Sequence, residues 1–158
     1  MNGGDAAVRA LADSGAKHAF GIPGIHNLPI FDALAKGGGF DLVSPRHEQG
    51  AAFMADGYSR ASGLPGVCLL AAGPGALNAA SAASTAYMDS QPMLILAGGV
   101  NTTDVGKGVL HGFDQVSVFR PITSERPGLS EEPRNHVFGL CDGDVDDIHP
   151  SALPRVLD

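Results

Sequence analysis

The chain has 158 residues, of which 44% are apolar, and a formal net charge of −7. That apolar share can build a core, which argues against wholesale disorder. The negative charge argues against a protein that binds nucleic acid through its phosphates. The longest apolar runs are far shorter than the ~20 residues that cross a bilayer, so we expect no membrane contact.

Helix and strand patterns alternate along the first hundred residues. Asp5 can cap the first helix, and Gly15 can end it. The predicted elements, in chain order, are a helix over 5–15, a strand over 18–22, a helix over 27–35, a strand over 41–44, a helix over 48–62, a strand over 66–72, a helix over 76–88 and a strand over 93–98.

Two of these strands, over 66–72 and 93–98, are apolar without alternation. Such strands are buried on both faces, and helices between them imply parallel crossover connections. The sequence therefore predicts an α/β fold with a doubly wound parallel sheet. Met54, Met88 and Met93 are expected to fill its core.

The chain changes character near Thr123. Residues 1–124 hold nine acidic and seven basic residues, whereas residues 125–158 hold eight acidic and three basic ones. We predict a compact domain over 1–123 and a divergent, acidic, proline-containing tail over 124–158. The tail has no run of four apolar residues, which leaves open whether the last strand of the sheet is present.

The two cysteines, Cys68 and Cys141, lie far apart in the sequence. They cannot form the disulfide framework of a small secreted domain or a four-ligand zinc site, so we expect no metal site in this chain. The first residues, MNGGDAAVRAL, contain no apolar stretch typical of a secretory signal. We therefore expect a cytoplasmic protein.

Three glycine- or proline-containing loops follow predicted strands, over residues 21–24, 45–50 and 73–78. Parallel sheets bind ligands at the carboxyl ends of their strands, although each loop alone is more typical of a plain turn. Glu48 lies in the second loop, where a helix begins. It can interact with the helix N-terminus, worth ~0.3–1 kcal/mol, or it can be a carboxylate in an apolar cleft that exchanges a proton.

Four stretches carry a resemblance to a known family. They are FGIPGIHNLPIFDAL (20–34), PRHEQGAAFMADGYSRASGLPGVCLL (45–70), AGPGALNAASAASTAYMDSQPMLILAGG (72–99) and LHGFDQVSVFRPIT (110–123). In order and spacing the chain resembles the pyrimidine-binding (PYR) domain of thiamine-diphosphate enzymes of the acetolactate synthase, pyruvate oxidase and benzoylformate decarboxylase superfamily. The resemblance covers nearly all of 1–123 and implies a flavodoxin-like fold.

The resemblance implies a role for each matching residue. Glu48 would bind N1′ of the cofactor's aminopyrimidine and start the proton transfer that activates the thiazolium carbon for attack on a 2-oxo acid. His111 would face the substrate, unless it is only a surface-loop histidine, and Gln115 would be a second polar group on that side. The pyrimidine pocket would be lined by Pro23, Gly24, Pro74 and Asn78, beside Glu48.

Members of this superfamily also need a diphosphate-binding (PP) domain, which holds Mg²⁺ through a GDG motif with a later Asn. The near match at residues 141–144 lies too close to the end of the sequence to complete that motif. The resemblance thus implies binding of the pyrimidine end of thiamine diphosphate only, with Mg²⁺ supplied by a partner PP domain.

Two main functions stay open on this reading. The chain can be the pyrimidine-binding half of a 2-oxo-acid decarboxylase or acetolactate synthase-like enzyme, completed by a separate PP-domain subunit. Alternatively, it can be a catalytically silent remnant that acts as a binding or regulatory module. An unrelated flavodoxin-like nucleotide binder is a third, weaker option. We also expect self-association through the helices over 47–62 and 76–89, whose alanines form a small apolar surface.

Overall fold

The computed structural model describes residues 2–37 and 39–123, together with the backbone of 137–140. Its five strands form one sheet in the order β2-β1-β3-β4-β5, and every neighbouring pair is parallel. The strands are β1 (His18–Gly21), β2 (Asp41–Val43), β3 (Gly66–Leu70), β4 (Met93–Ala97) and β5 (Val137–Leu140).

Helices follow the strands and cover the sheet. None of those in the described part of the chain has both the length and the apolar character that a membrane crossing needs. The helices are α1 (Gly3–Asp13), α2 (Leu28–Ala35), α3 (Glu48–Ser62), α4 (Pro74–Asn78), α5 (Ala80–Met88) and α6 (Gln115–Phe119), with short 3₁₀ turns at Ile25–Asn27, Thr102–Asp104 and Arg120–Ile122.

Alternate side chains of β3 and β4 enter two separate cores. Val67 and Leu69 pack with side chains of α1 and α2 on one face of the sheet. Cys68 and Leu70 pack with side chains of α3 and α5 on the other. Both strands are completely buried, because each has helices on both sides. This arrangement confirms the predicted doubly wound α/β fold.

The tail contributes a strand to the sheet. Val137–Leu140 runs parallel to β4, with Met93 opposite Val137 and Leu96 opposite Leu140. The last strand is therefore present, which answers the question that the sequence left open. Its four residues include a glycine, so no apolar run marked it. Residues 124–136 and 141–158, with the near match to the GDG motif, lie outside the described residues.

The local sequence signals were correct in kind but wrong in three details. The cap of α1 is Asn2, and Asp5 completes a capping box from the third helical position. The single helix predicted over 76–88 is divided at Ala79 into α4 and α5. Met54 and Met88 are 44% and 77% exposed, so neither fills the core.

The alanines of α5 are internal rather than superficial. Ala79, Ala82, Ala83 and Ala86 are completely buried in the core that α5 shares with α3 and the sheet. Their small side chains let the two helices and the strands approach closely. The alanine surface expected to drive self-association is therefore already covered within the chain.

An ion-pair network holds the far end of α3. Arg60 donates from Nε to both carboxylate oxygens of Asp56 at 3.0 Å, and from Nη2 to Asp89 at 2.8 Å. These bonds raise the pKa of Arg60. Because Asp89 follows α5, the network ties α3 to the segment that enters β4, and α3 is the helix that begins with Glu48.

Candidate functional site

Loops from several strands converge at the carboxyl edge of the sheet. The segment after β1 makes a turn through Gly24, α3 begins at Glu48 after β2, and the segment after β3 turns through Gly73 into α4. The sheet order places β1 between β2 and β3. The connection after β1 therefore leads to a strand on one side of β1, and the connection after β2 leads to a strand on its other side. This is the position at which open parallel sheets bind ligands.

Glu48 lies half-buried at the first position of α3. Its Oε2 accepts a hydrogen bond from Nδ2 of Asn78, at 2.9 Å. His47 caps the same helix, with Nδ1 accepting from the backbone N–H of Gln49 at 3.2 Å. Two of the predicted residues, Glu48 and Asn78, are therefore in contact although 30 residues separate them in the sequence.

The second carboxylate oxygen of Glu48 lies above a glycine. A Cβ on Gly75 would be 3.2 Å from Oε1 of Glu48 and 2.9 Å from the Cβ of Ala71. A Cβ on Gly24 would be 2.7 Å from the same Ala71 atom. The loops after β1 and β3 thus approach each other across Ala71, and both need glycine to leave space there.

The negative charge of Glu48 affects a buried side chain of the sheet. Burial raises the pKa of the Cys68 thiol far above its ordinary value, and the negative charge of Glu48 raises it further. Cys68 is the middle residue of β3, so the charge of Glu48 reaches the centre of that strand. Glu48 is therefore placed between a polar partner, Asn78, and an apolar interior.

Asn27 stabilises the loop after β1, and it is not among the site residues predicted from the sequence. Its side chain is completely buried. Its Oδ1 accepts from the N–H of Gly24 at 2.6 Å, and its Nδ2 donates to the carbonyl of Ile22 at 3.2 Å. The only sequence signal was an asparagine where a helix begins, which is common in many proteins.

Gln115 connects two loops rather than facing solvent. Its side chain is buried, with Oε1 accepting from the N–H of Gly73 at 3.1 Å and Nε2 donating to the carbonyl of Gly98 at 2.9 Å. We call this pair of contacts the Gln115 bridge. It joins the end of β3 to the end of β4, so its geometry favours a positioning role for Gln115.

Replacing Gln115 with leucine is expected to lower the free energy of unfolding by about 2–4 kcal/mol, because two buried backbone groups lose their partners at ~1–3 kcal/mol each. Urea unfolding followed by circular dichroism measures this. The matched control is Gln49→Leu, at an exposed glutamine that bonds Ser81. Equal, small losses in both variants would contradict the structural importance of the Gln115 bridge.

The remaining predicted residues lie on the same loops. Pro23 and Pro74 are exposed, and Pro74 is the first residue of α4. His111 is half-buried, and its backbone lies against Gly73, where a Cβ would be 2.9 Å from the Cβ of His111. The Gly73–Gly75 turn is therefore contacted by His111 at one end and by Glu48 at the other.

A further histidine, absent from the predicted set, completes this edge. His26 lies edge-on to His111, with ring centroids 6.0 Å apart. In the described residues there is no cluster of three or more His, Cys, Asp or Glu side chains that could hold a metal ion. The carboxylate, amide and imidazole groups at this edge can form hydrogen bonds, and the carboxylate and imidazoles can carry protons.

Comparison with known sequences identifies the family. The sequence model described as "Thiamine pyrophosphate enzyme, N-terminal TPP binding domain" matches residues 1–118. The chain belongs to this family. The family match includes every predicted site residue, from Pro23 to Gln115, and confirms the resemblance found in the sequence.

Individual members of the thiamine pyrophosphate enzyme family show similar identities. The acetolactate synthase isozyme 3 large subunit of Escherichia coli is 47% identical over 122 residues, which are 77% of this chain and 21% of that protein. A probable 2-ketoarginine decarboxylase of Pseudomonas aeruginosa is 46% identical over 127 residues, covering 78% of this chain and 22% of that protein.

A third relative extends the alignment. The mitochondrial acetolactate synthase catalytic subunit of Aspergillus candidus is 45% identical over 144 residues, covering 88% of this chain and 21% of that protein. This share is more than residues 1–123 can supply, so the alignment continues into the tail. The chain spans about a fifth of the length of the curated relatives that it matches.

Proposed function

We propose that the chain is the pyrimidine-binding half of a thiamine-diphosphate-dependent 2-oxo-acid decarboxylase or acetolactate synthase-like enzyme. The observation that carries the proposal is the arrangement of Glu48 with one carboxylate oxygen bonded to Asn78 and the other above Gly75. It occurs at the ligand-binding edge of the sheet, in a chain whose relatives include acetolactate synthases and a probable 2-ketoarginine decarboxylase.

The residues at this edge fit a flat heteroaromatic ring. Gly24 and Gly75 both pack closely against Ala71, which occupies the space that a Cβ would need, so the backbone of both loops lies near the carboxylate of Glu48. Glu48 supplies a hydrogen-bond acceptor at Oε1, next to Gly75. Pro23 and Pro74 are exposed on the same two loops and add apolar surface. We therefore assign pyrimidine binding to Pro23, Gly24, Glu48, Pro74 and Asn78.

Glu48 acts as the proton-transfer group in this proposal. Asn78 holds Oε2, which fixes the carboxyl plane and leaves Oε1 as the oxygen that would bind N1′ of the pyrimidine. Glu48 then shares a proton with that nitrogen through Oε1. Thiamine diphosphate, when bound, supplies the nucleophilic carbon and the electron sink for 2-oxo-acid chemistry. A general acid–base group of this kind contributes typically about 10²–10⁴-fold to the rate.

His111 and Gln115 take different roles. His111 packs against Gly73 through its backbone and Cβ, and its side chain is only half-buried. The amide of Gln115 is committed to the Gln115 bridge, so it positions the loop on which His111 lies. We therefore keep His111 as a catalytic residue and assign Gln115 as a positioning residue.

The diphosphate end of the cofactor and its Mg²⁺ are proposed to bind a PP domain on another polypeptide segment. The matched segment is about a fifth of each relative's length, so most of that length lies outside the match. The described residues hold no group of three acidic or histidine ligands for Mg²⁺. In this proposal the chain binds the pyrimidine and transfers the proton, and the PP domain binds the metal and the phosphates.

Calorimetry tests this division. We expect the purified chain alone to bind thiamine diphosphate with Mg²⁺ weakly and to turn over no pyruvate, because the PP domain proposed to hold the charged end of the ligand is missing. Adding a PP-domain subunit from the same genome should produce tight binding and turnover. Pyruvate turnover by the chain alone would contradict the need for a partner. Failure of every such pairing would favour the silent remnant.

We also propose that the chain self-associates through α3 and the α4–α5 segment. The alanines of α5 are internal, but Phe53 on α3 is 44% exposed and Leu77 on α4 is 38% exposed. Light scattering should detect a dimer that Phe53→Asp converts to a monomer. The control is Leu64→Asp, an exposed leucine beyond the end of α3. A strict monomer at high concentration, or equal effects of both variants, would contradict this interface.

A further inference from the structure

Two histidines at the carboxyl edge of the sheet form a pair that Glu48 chemistry leaves unexplained. His26 lies in the 3₁₀ turn after β1, and His111 lies before α6. Their rings meet edge to face, with an angle of 77° between the planes. Both side chains are half-buried, so each imidazole is partly accessible from outside.

Each histidine lies on a glycine that permits close approach. A Cβ on Gly98 would be 2.9 Å from the Cβ of His26, and a Cβ on Gly73 would be 2.9 Å from the Cβ of His111. The same two glycines are the ones that the Gln115 bridge connects. One buried side chain therefore links the two backbone positions against which His26 and His111 pack.

The backbone of His111 indicates that its position is imposed by its surroundings. Its φ is 69°, in the left-handed region that residues other than glycine seldom adopt. On the other loop, buried Asn27 adjoins His26 in the sequence and holds the turn through Gly24 and Ile22. The two imidazoles are thus preorganised, which lowers the entropy cost of binding a ligand between them.

The chemistry of two imidazoles favours an anion. Each ring can present an N–H donor, and the two oxygens of a carboxylate accept such bonds at about 2.7–3.2 Å. With centroids 6.0 Å apart, both rings can reach one carboxylate. A zinc site uses three or four protein ligands, and the described residues supply no third His, Cys, Asp or Glu here.

We propose that His26 and His111 together bind the carboxylate of the 2-oxo-acid substrate, which makes His26 a substrate-binding residue. The neighbours Ile25 and Leu110 are 81% and 82% exposed and offer apolar surface for the rest of the acid. The identity of the ligand as a 2-oxo acid rests on the proposed function. The pairing of the imidazoles does not.

Nuclear magnetic resonance on the full chain tests the pair, with the histidine ring protons as reporters. Pyruvate is the probe, and its neutral amide, pyruvamide, is the matched control ligand. We expect pyruvate to shift the His26 and His111 signals saturably and to leave His18, at the amino end of β1, unchanged. No shift at high pyruvate, or equal shifts with pyruvamide, would overturn the proposal.

Variants separate binding from folding. His26→Gln should weaken pyruvate binding about tenfold, as expected for loss of a hydrogen bond to a charged group. His18→Gln should leave binding unchanged. Unaltered binding by folded His26→Gln would overturn the proposal. If His26→Gln fails to fold, His111→Gln is measured in its place. We then expect the pyruvate-induced shift at His26 to be lost, and its retention would overturn the proposal.

The outcome is independent of the cofactor test. Thiamine diphosphate binding in the presence of a PP-domain subunit reports on the proposed function, whereas pyruvate shifts at His26 report on the histidine pair. Pyruvate-specific shifts without cofactor binding would support the anion site and contradict the proposed function. Cofactor binding without a shift at either histidine would contradict the anion site alone.

Discussion

Replacing Glu48 with glutamine is expected to slow the exchange of the C2 proton of bound thiamine diphosphate by about 10²–10⁴-fold in the enzyme assembled with a PP-domain subunit. Glutamine has the size of glutamate, so the packing of α3 and the contact with Asn78 can persist. It can still form a hydrogen bond through its amide, but it cannot take up or release the proton that the carboxylate transfers.

The measurement compares deuterium exchange at C2 with turnover of pyruvate in both proteins. The control is Asp13→Asn, which removes a carboxylate at the exposed end of α1, and it should leave both rates unchanged. If Glu48 only interacts with the N-terminus of α3, its replacement costs under ~1 kcal/mol of stability and spares exchange. Equal exchange rates would therefore show that Glu48 is structural.

Replacing Gly73 with alanine is expected to lower the free energy of unfolding by about 2–5 kcal/mol. Gly73 has φ 66° and ψ −118°, a conformation that residues with a Cβ rarely adopt. The new Cβ would also be 2.9 Å from the Cβ and 3.0 Å from the Cα of His111, and a backbone atom cannot move away cheaply. The loop carrying His111 must shift, so 2-oxo-acid binding should weaken as well.

Urea unfolding measures this loss, and a second glycine in the same chain provides the control. Gly57 lies within α3, and a Cβ there would meet nothing within 4 Å. Gly57→Ala should therefore raise stability by about 0.5–1 kcal/mol through helix propensity. Similar changes at both positions would contradict the close approach of Gly73 to His111.

The two tests address different parts of one site. Glu48 and Asn78 are joined by a direct hydrogen bond, so their relation can be probed by chemistry. Gln115 and Gly73 hold the neighbouring loops in place, so their contact can be probed by stability. A defect in exchange without a loss of stability identifies the first group, and the reverse identifies the second.

Local patterns predicted the parts of the fold that depend on neighbours in the sequence. The helix over Glu48–Ser62 has the predicted bounds, and β3 and β4 begin where expected, because apolar periodicity and flanking glycines act over a few residues. The position of Glu48 at a helix start, near the end of a strand, followed from the same patterns. Its family followed from motifs read in order.

Exposure of single side chains was harder to predict. Met54 and Phe53 lie on α3 beside buried Ala51, Ala52 and Ala55, yet both are 44% exposed. In an amphipathic pattern, an apolar residue at the edge of the buried stripe can face either the sheet or solvent, and the sequence pattern is the same in both cases. The sequence left the strand Val137–Leu140 open for a related reason, because pairing with β4 rather than its own pattern makes it a strand.

The α/β class, the order of helices and strands and the Glu48 loop as the candidate site could be inferred from local and family patterns in the amino-acid sequence. The roles of Asn27, Gln115 and His26 became apparent from their contacts in the folded chain. Gln115 and Gly73 are 42 residues apart, and they meet only because parallel strands bring their carboxyl ends to one edge. Contacts of that kind depend on which loops become neighbours in space, and no local pattern of apolar and polar residues contains that information.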